Sequence, residues 1–157
     1  MTPSDSHSVR VQIAAPRAIA AVRATLLIAR VPAVFVSYLN QVYDAARNGH
    51  VRLDGQNIFV YRNTTTPGEV DVEFGVGVTA PFPPAGPVTY SALPVGDVAT
   101  MTHWGDYARL GDAHAAVIAW CSAHGRTPNG TRWEVYGHWT DDPSQLRTDV
   151  YHLLEPA

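Results

Sequence analysis

The sequence contains an internal repeat, and this repeat constrains the fold more than any other feature. Three pairs of equivalent positions recur at offsets of 75 to 78 residues: Pro16 with Pro94, Gly55 with Gly130, and Asp71 with Asp149. An offset this constant indicates that the two halves fold into similar units.

Each half shows the same order of sequence signals. Apolar residues recur at helical spacing, first at Val34, Tyr38, Val42 and Ala45 and then at Leu110, Ala113, Val117 and Cys121. Asn48-Gly49 and Gly125 follow these helices as stop signals. Strands are predicted around the helices at 18–25, 55–61, 71–74, 97–103, 130–136 and 149–152, with short extra strands at 9–14 and 88–92.

This order predicts an α+β fold made of two pseudo-symmetric β-β-α-β-β modules. Each module would have an antiparallel sheet with one helix, and the two would enclose a central ligand groove. We expect a single domain over 1–157, with repeats at about 9–78 and 88–155 and a proline-rich connector at 79–87.

Composition excludes several classes of function. Every basic residue is arginine, so Schiff-base and P-loop chemistry, which need a lysine, are excluded. The net charge of −3 provides no general attraction to nucleic acid or to anionic membranes. A single cysteine, Cys121, and a polar start without a signal peptide predict a cytoplasmic protein. The seven histidines lack metal-ligand spacing, so we expect no metal and no cofactor.

A glutamate stands inside an aromatic run near the C-terminus, Trp133-Glu134-Val135-Tyr136-Gly137-His138-Trp139. On a strand, Glu134, Tyr136 and His138 would share one face. A carboxylate among rings is costly to desolvate unless a cationic or hydrogen-bonding ligand compensates it. The run therefore predicts a binding site.

Alternation along the strands predicts which side chains share a face. The helix should cover the more apolar set: Ile58, Val60, Val72, Phe74, Val76, Trp133, Val135, Val150 and Leu154. The helix-free face would then carry Phe59, Tyr61, Glu73, Glu134, Tyr136 and Tyr151. Such a surface fits an aromatic groove with an acidic floor, although an ordinary half-solvated sheet face is the alternative.

Several of these residues resemble the GyrI-like family, also known as the effector-binding domain of bacterial transcription activators. The resemblance rests on His103-Trp104-Gly105-Asp106-Tyr107, Trp120, Gly125, Glu134, Tyr136, Asp142-Pro143, Gly55 and the run from Asp71 to Val76. It implies a small-molecule-binding fold of two tandem modules with a ligand-contacting glutamate at Glu134. Family members are joined to DNA-binding domains, inhibit gyrase, or hydrolyse cyclopropane-bearing DNA-alkylating compounds. This chain shows no DNA-binding domain, so a DNA gyrase or regulator partner is expected by analogy only.

Two hypotheses follow. In the first, the protein binds or sequesters hydrophobic, planar molecules, including cations, through Glu134, Tyr136, Phe59, Tyr61, Glu73, Trp104, Tyr107, Tyr151 and His138. In the second, the same site belongs to a hydrolase, in which Glu134 and Glu73 activate water and Tyr136 or Tyr151 stabilises the developing oxyanion. The presence of both glutamates on the proposed face favours the hydrolase over a pure receptor only if the two carboxylates approach each other.

Overall fold

The computed structural model describes residues 8–157, which form two compact units. The first unit comprises residues 16–93, and the second comprises residues 94–157 together with the described N-terminal residues up to 15. The predicted absence of a signal peptide concerns residues 1–8, of which 1–7 lie outside the described part. Within the described chain, no helix is both long enough and apolar enough to cross a bilayer.

Ten main elements follow each other in the predicted order. They are β1 (Arg10–Ile13), β2 (Ala18–Leu27), α1 (Val31–Arg47), β3 (Leu53–Asn63), β4 (Glu69–Val78), β5 (Thr89–Ala92), β6 (Asp97–Trp104), α2 (Leu110–Ala123), β7 (Pro128–Tyr136) and β8 (Arg147–Leu154). Each half thus reads β-β-α-β-β along the chain, and the prediction of an α+β fold with antiparallel sheets and one helix per half is confirmed.

The helix ends form as the glycine signals predict. After α1, Gly49 adopts φ 82°, its N–H bonds the carbonyl of Ala46, and the N–H of His50 bonds the carbonyl of Ala45. After α2, Gly125 adopts φ 67° and the N–H of Arg126 bonds the carbonyl of Cys121. A left-handed residue at this position satisfies the last helical carbonyls, and glycine adopts it without steric cost.

The two short strands join the sheet of the other half. In the first unit the strand order is β5-β2-β4-β3, and in the second it is β1-β6-β8-β7. The N-terminal strand β1 pairs with β6, whereas β5 pairs with β2. Each short strand was expected to stand ahead of its own repeat. The observed exchange leaves the order of strands the same in both units.

Helix α1 covers one face of the first sheet. Its Phe35 ring lies 5.8 Å from Phe59, and its Tyr38 ring stacks 4.8 Å from Phe74. Because Phe59 and Phe74 are direct cross-strand partners, both β3 and β4 are fixed in orientation by these contacts. The opposite face is closely packed, because a Cβ at Gly75 would lie 2.9 Å from Ile19 Cδ1 and 3.1 Å from the Ile58 carbonyl oxygen.

Helix α2 covers the second sheet in the same way. It buries an apolar cluster made of Leu110, Ala113, Val117 and Cys121 from the helix and Ala99, Met101, Val150 and Leu154 from the strands. Since side chains alternate along a strand, Thr148 and His152 of β8 lie on this helix-facing side with Val150. This face is where the polar site of the second unit is found.

Candidate functional site

Glu134 lies near the C-terminal end of β7, on the side of the sheet that α2 covers. The residue is only 6 % exposed. Its Oε1 accepts a 2.5 Å hydrogen bond from the Tyr136 hydroxyl, and its Oε2 lies 2.7 Å from Nε2 of His114 on α2. A carboxylate removed from water needs such partners, because burial without them would favour the neutral acid.

Two histidines continue this hydrogen-bond chain into the unit. Nδ1 of His114 lies 2.8 Å from Nε2 of His152, which is 3 % exposed. Burial, together with the smaller effect of the nearby charges of His114 and Arg132, lowers the pKa of His152 to about 3. His152 is therefore neutral at physiological pH, and the chain runs from Tyr136 through Glu134 and His114 to His152.

Two further side chains border the Glu134 site. The Tyr107 ring stands edge-on to Tyr136 at 5.6 Å, and burial raises the pKa of its hydroxyl. Thr148 pairs across the sheet with Tyr136 on one side and His103 on the other. Among the described residues, its fully buried hydroxyl is one of two such side-chain groups without a hydrogen-bond partner. A buried hydroxyl without a partner is rare in folded proteins, and this one borders the hydrogen-bond network of Glu134.

The first unit has an aromatic cluster on its own helix-facing side. Phe59 meets Phe74 edge-to-face at 5.2 Å, and Phe35 and Tyr38 of α1 pack on these two rings. Tyr61 follows Phe59 on the same face of β3 and is also buried. In sequence Phe59 and Tyr61 correspond to Glu134 and Tyr136, and each pair faces the helix of its own unit.

Glu73 has a different environment from Glu134. It lies on the face of the first sheet opposite α1 and is 3 % exposed. Nη1 of Arg62 donates a 2.6 Å hydrogen bond to its Oε1, so the buried carboxylate has a cationic partner. This pairing accounts for a buried charge at Glu73 without any ligand.

The predicted set of helix-free residues is wrong for Phe59, Tyr61, Glu134 and Tyr136, which face their helices, and correct for Glu73 and Tyr151. Conversely, Ile58, Val60, Trp133 and Val135 face away from the helices. Alternation could not decide the orientation because both faces of these strands are buried: Ile58, Phe59, Val60 and Tyr61 are all at most 5 % exposed. The pairing register also shifts between Leu53 and Asn57 and between Pro128 and Arg132. Such irregularities make it harder to tell from the sequence which residues share a face.

The other predicted site residues lie apart from the Glu134 network. Tyr151 stacks on its cross-strand partner Trp133 at 5.4 Å, on the helix-free face. Trp104 is 47 % exposed at the end of β6, with the Arg147 guanidinium 5.8 Å from its ring. His138 lies in the loop beyond the end of β7 and is exposed, so strand alternation does not place it beside Glu134.

His114 is the main residue that the sequence analysis missed. It lies four residues after Leu110 and one after Ala113, so it flanks the apolar stripe of α2 and points toward the sheet. This position on the helix was the signal that could have found it. Within residues 8–157, no cluster of three histidine, cysteine or acidic side chains is arranged to hold a metal ion.

The sequence matches the model of the GyrI-like small molecule binding domain over residues 9–154. The chain belongs to this family. Comparison with curated protein sequences gave no match.

Solved structures share the fold at low sequence identity. The crystal structure of the EcmrR C-terminal domain has a TM-score of 0.77 and 16 % identity, covering 96 % of this chain and 98 % of that one. SAV2435 bound to tetraphenylphosphonium has a TM-score of 0.67 and 8 % identity, with 94 % of both chains covered. A hydrolase from Listeria innocua has a TM-score of 0.59 and 9 % identity, covering 96 % and 93 %. At these identities the likeness shows the fold alone.

Proposed function

We propose that this GyrI-like domain is a cytosolic receptor for hydrophobic, planar small molecules, including cations, and that Glu134 is its acidic contact. The observation that carries the proposal is a buried carboxylate that stands between a tyrosine hydroxyl and a histidine ring, with a second tyrosine packed edge-on beside it. The predicted groove between the two halves stays a prediction.

The physical case rests on charge and aromatic surface. A cation over an aromatic ring gains about 0.5 to 2 kcal/mol, and contact with a carboxylate in a desolvated site adds to this. Because both oxygens of Glu134 already accept hydrogen bonds, a cation competes with Tyr136 and His114 for this group. The fold's ability to take a hydrophobic cation is supported by SAV2435, which has been captured with tetraphenylphosphonium.

The test is the affinity of tetraphenylphosphonium for the wild-type protein and for Glu134→Gln. We expect binding to weaken about tenfold or more, because glutamine keeps the shape but removes the charge. Glu155→Gln is the matched control, since it removes the same charge from an exposed position in the same unit and should bind like wild type. Equal affinity of Glu134→Gln and wild type would remove Glu134 from the binding site.

A hydrolase is the second candidate, and the pairing of Glu134 with His114 is the observation that favours it. A carboxylate that orients an imidazole is a common arrangement in general acid–base catalysis. Within their own units the two carboxylates occupy different positions, because Glu134 faces its helix while Glu73 faces away from its helix and pairs with Arg62. Turnover of a cyclopropane-bearing alkylating compound that is lost in Glu134→Gln would establish this function. Stoichiometric binding without product would exclude it.

A protein partner enters the proposal only by analogy with relatives. DNA gyrase or a separate DNA-binding regulator would have to recognise the outer surface of the domain. Direct binding of DNA is not proposed, because a net charge of −3 provides no general attraction to phosphates.

A further inference from the structure

We propose that His114 is a proton-linked specificity residue: its neutral form lets the Glu134 site accept a cation, and its protonated form replaces that cation. This inference rests on the proposed function, because it concerns the same site and the same class of ligand. It adds His114 and a mode of selection to the residues that were predicted from the sequence.

The direct contact between His114 and Glu134 provides the first part of the argument. Nε2 of His114 is 2.7 Å from Oε2 of Glu134, a distance at which a protonated ring and a carboxylate form an ion pair. Such a pair has no net charge and offers little attraction to a second cation. A neutral His114 still donates from Nε2, but the carboxylate keeps its full negative charge.

The contact with His152 lets His114 change its protonation state without losing a hydrogen bond. When His114 is neutral with its proton on Nε2, its Nδ1 accepts a bond from the Nε2–H of His152. When His114 is protonated, its Nδ1–H donates to Nε2 of His152, whose proton then resides on Nδ1. Both protonation states keep the 2.8 Å contact, so the hydrogen bonds between the two histidines form whether His114 is neutral or charged.

Because His152 is neutral near neutral pH, His114 is the member of the two-histidine pair whose charge bears on Glu134, the carboxylate that it contacts. The titratable or charged groups facing it are Glu134 and Arg132 on β7 and His152 on β8, whose pKa burial lowers to about 3. Arg132, which donates to the Gly130 carbonyl, keeps its charge at all relevant pH values. On β6 the ring of His103 is bonded to the Asp106 carbonyl oxygen, and the preceding helix-facing residues are apolar.

The experiment measures the dissociation constant of tetraphenylphosphonium, whose charge does not vary with pH, from about pH 5.5 to 8.5. For the wild-type chain we expect affinity to fall by up to about tenfold per pH unit on the acidic side, with release of protons on binding near neutral pH. Proton release is read from the dependence of the binding heat on the ionisation enthalpy of the buffer. Triphenylphosphine oxide, a neutral relative of the probe, should lose little affinity on acidification.

His114→Gln preserves an amide donor near the position of Nε2 but cannot acquire charge, so its affinity should vary by less than about twofold over this range. His124→Gln removes an exposed histidine at the end of the same helix and should behave like wild type. Wild-type affinity that does not change with pH, or an unchanged pH profile in His114→Gln, would overturn the proposal. The proton release measured from the binding heats of the wild-type protein tests the proposal even if His114→Gln does not fold. Absence of tetraphenylphosphonium binding at every pH would instead refute the proposed function itself.

Discussion

Buried His152 should make the folded protein sensitive to acid. In an unfolded chain a histidine takes up a proton near pH 6.5, whereas in the folded protein the pKa of His152 is lowered to about 3. The unfolded state therefore binds more protons between these two values. The stability that this residue contributes is complete above about pH 6.5 and is lost as the pH falls toward 3.

The size of this loss of stability follows from the difference between the two pKa values of His152. Each pH unit below 6.5 costs about 1.4 kcal/mol, so His152 alone should remove about 2 kcal/mol of the free energy of unfolding by pH 5. His152 is 3 % exposed, so solvent screening reduces this value little. The protein should remain folded at pH 5 but unfold at a lower urea concentration than at pH 8.

Urea unfolding of wild type and of His152→Gln at pH 8 and pH 5 measures this contribution. Glutamine can donate to His114 but cannot be protonated, so the variant should lose about 2 kcal/mol less than wild type between the two pH values. His138→Gln, which replaces an exposed histidine of the same unit, should show the wild-type loss. An equal loss in wild type and His152→Gln would refute the assignment of a neutral, buried His152.

Two other substitutions test the polar groups inside the units. Arg62→Ala should lower the free energy of unfolding by about 2 to 3 kcal/mol, because it leaves the Glu73 carboxylate buried without its cation. Adding Glu73→Gln should recover part of that loss in urea unfolding, and no recovery would show that Arg62 acts through packing alone. Thr148→Val should raise the melting temperature, since it replaces a buried unpartnered hydroxyl and gains about 1 kcal/mol. A lower melting temperature would mean that the hydroxyl has a partner in solution.

The order of elements could be predicted from the sequence because it depends on local signals. Helical spacing and the glycines at 49 and 125 fix where α1 and α2 end, and the helix ends have the hydrogen bonds that these glycines allow. The pairing of β1 with β6 could not be predicted in this way. The sequence of a four-residue strand does not indicate which strand it pairs with. That pairing depends on contacts between residues distant in sequence.

The site was predicted only in part, for a related reason. Glu134 and Tyr136 were predicted as site residues because a carboxylate among rings is unusual, and the hydrogen bond between them confirms that they share a face. Their position under α2 was missed, because an acidic side chain was expected to avoid the helix-covered face. His114 accounts for this position of Glu134. Its ring lies on the buried flank of the helix and provides the hydrogen-bond partner that compensates the burial of the carboxylate.

The central claim is that the buried Glu134 carboxylate is the contact for a cationic ligand. A crystal structure of the protein with tetraphenylphosphonium tests this most directly. The account predicts that the phosphonium lies against Glu134, with Tyr136 or Tyr107 on its phenyl rings and the contact between His114 and Glu134 changed. A ligand bound elsewhere, with Glu134 still held by both His114 and Tyr136, would contradict the account.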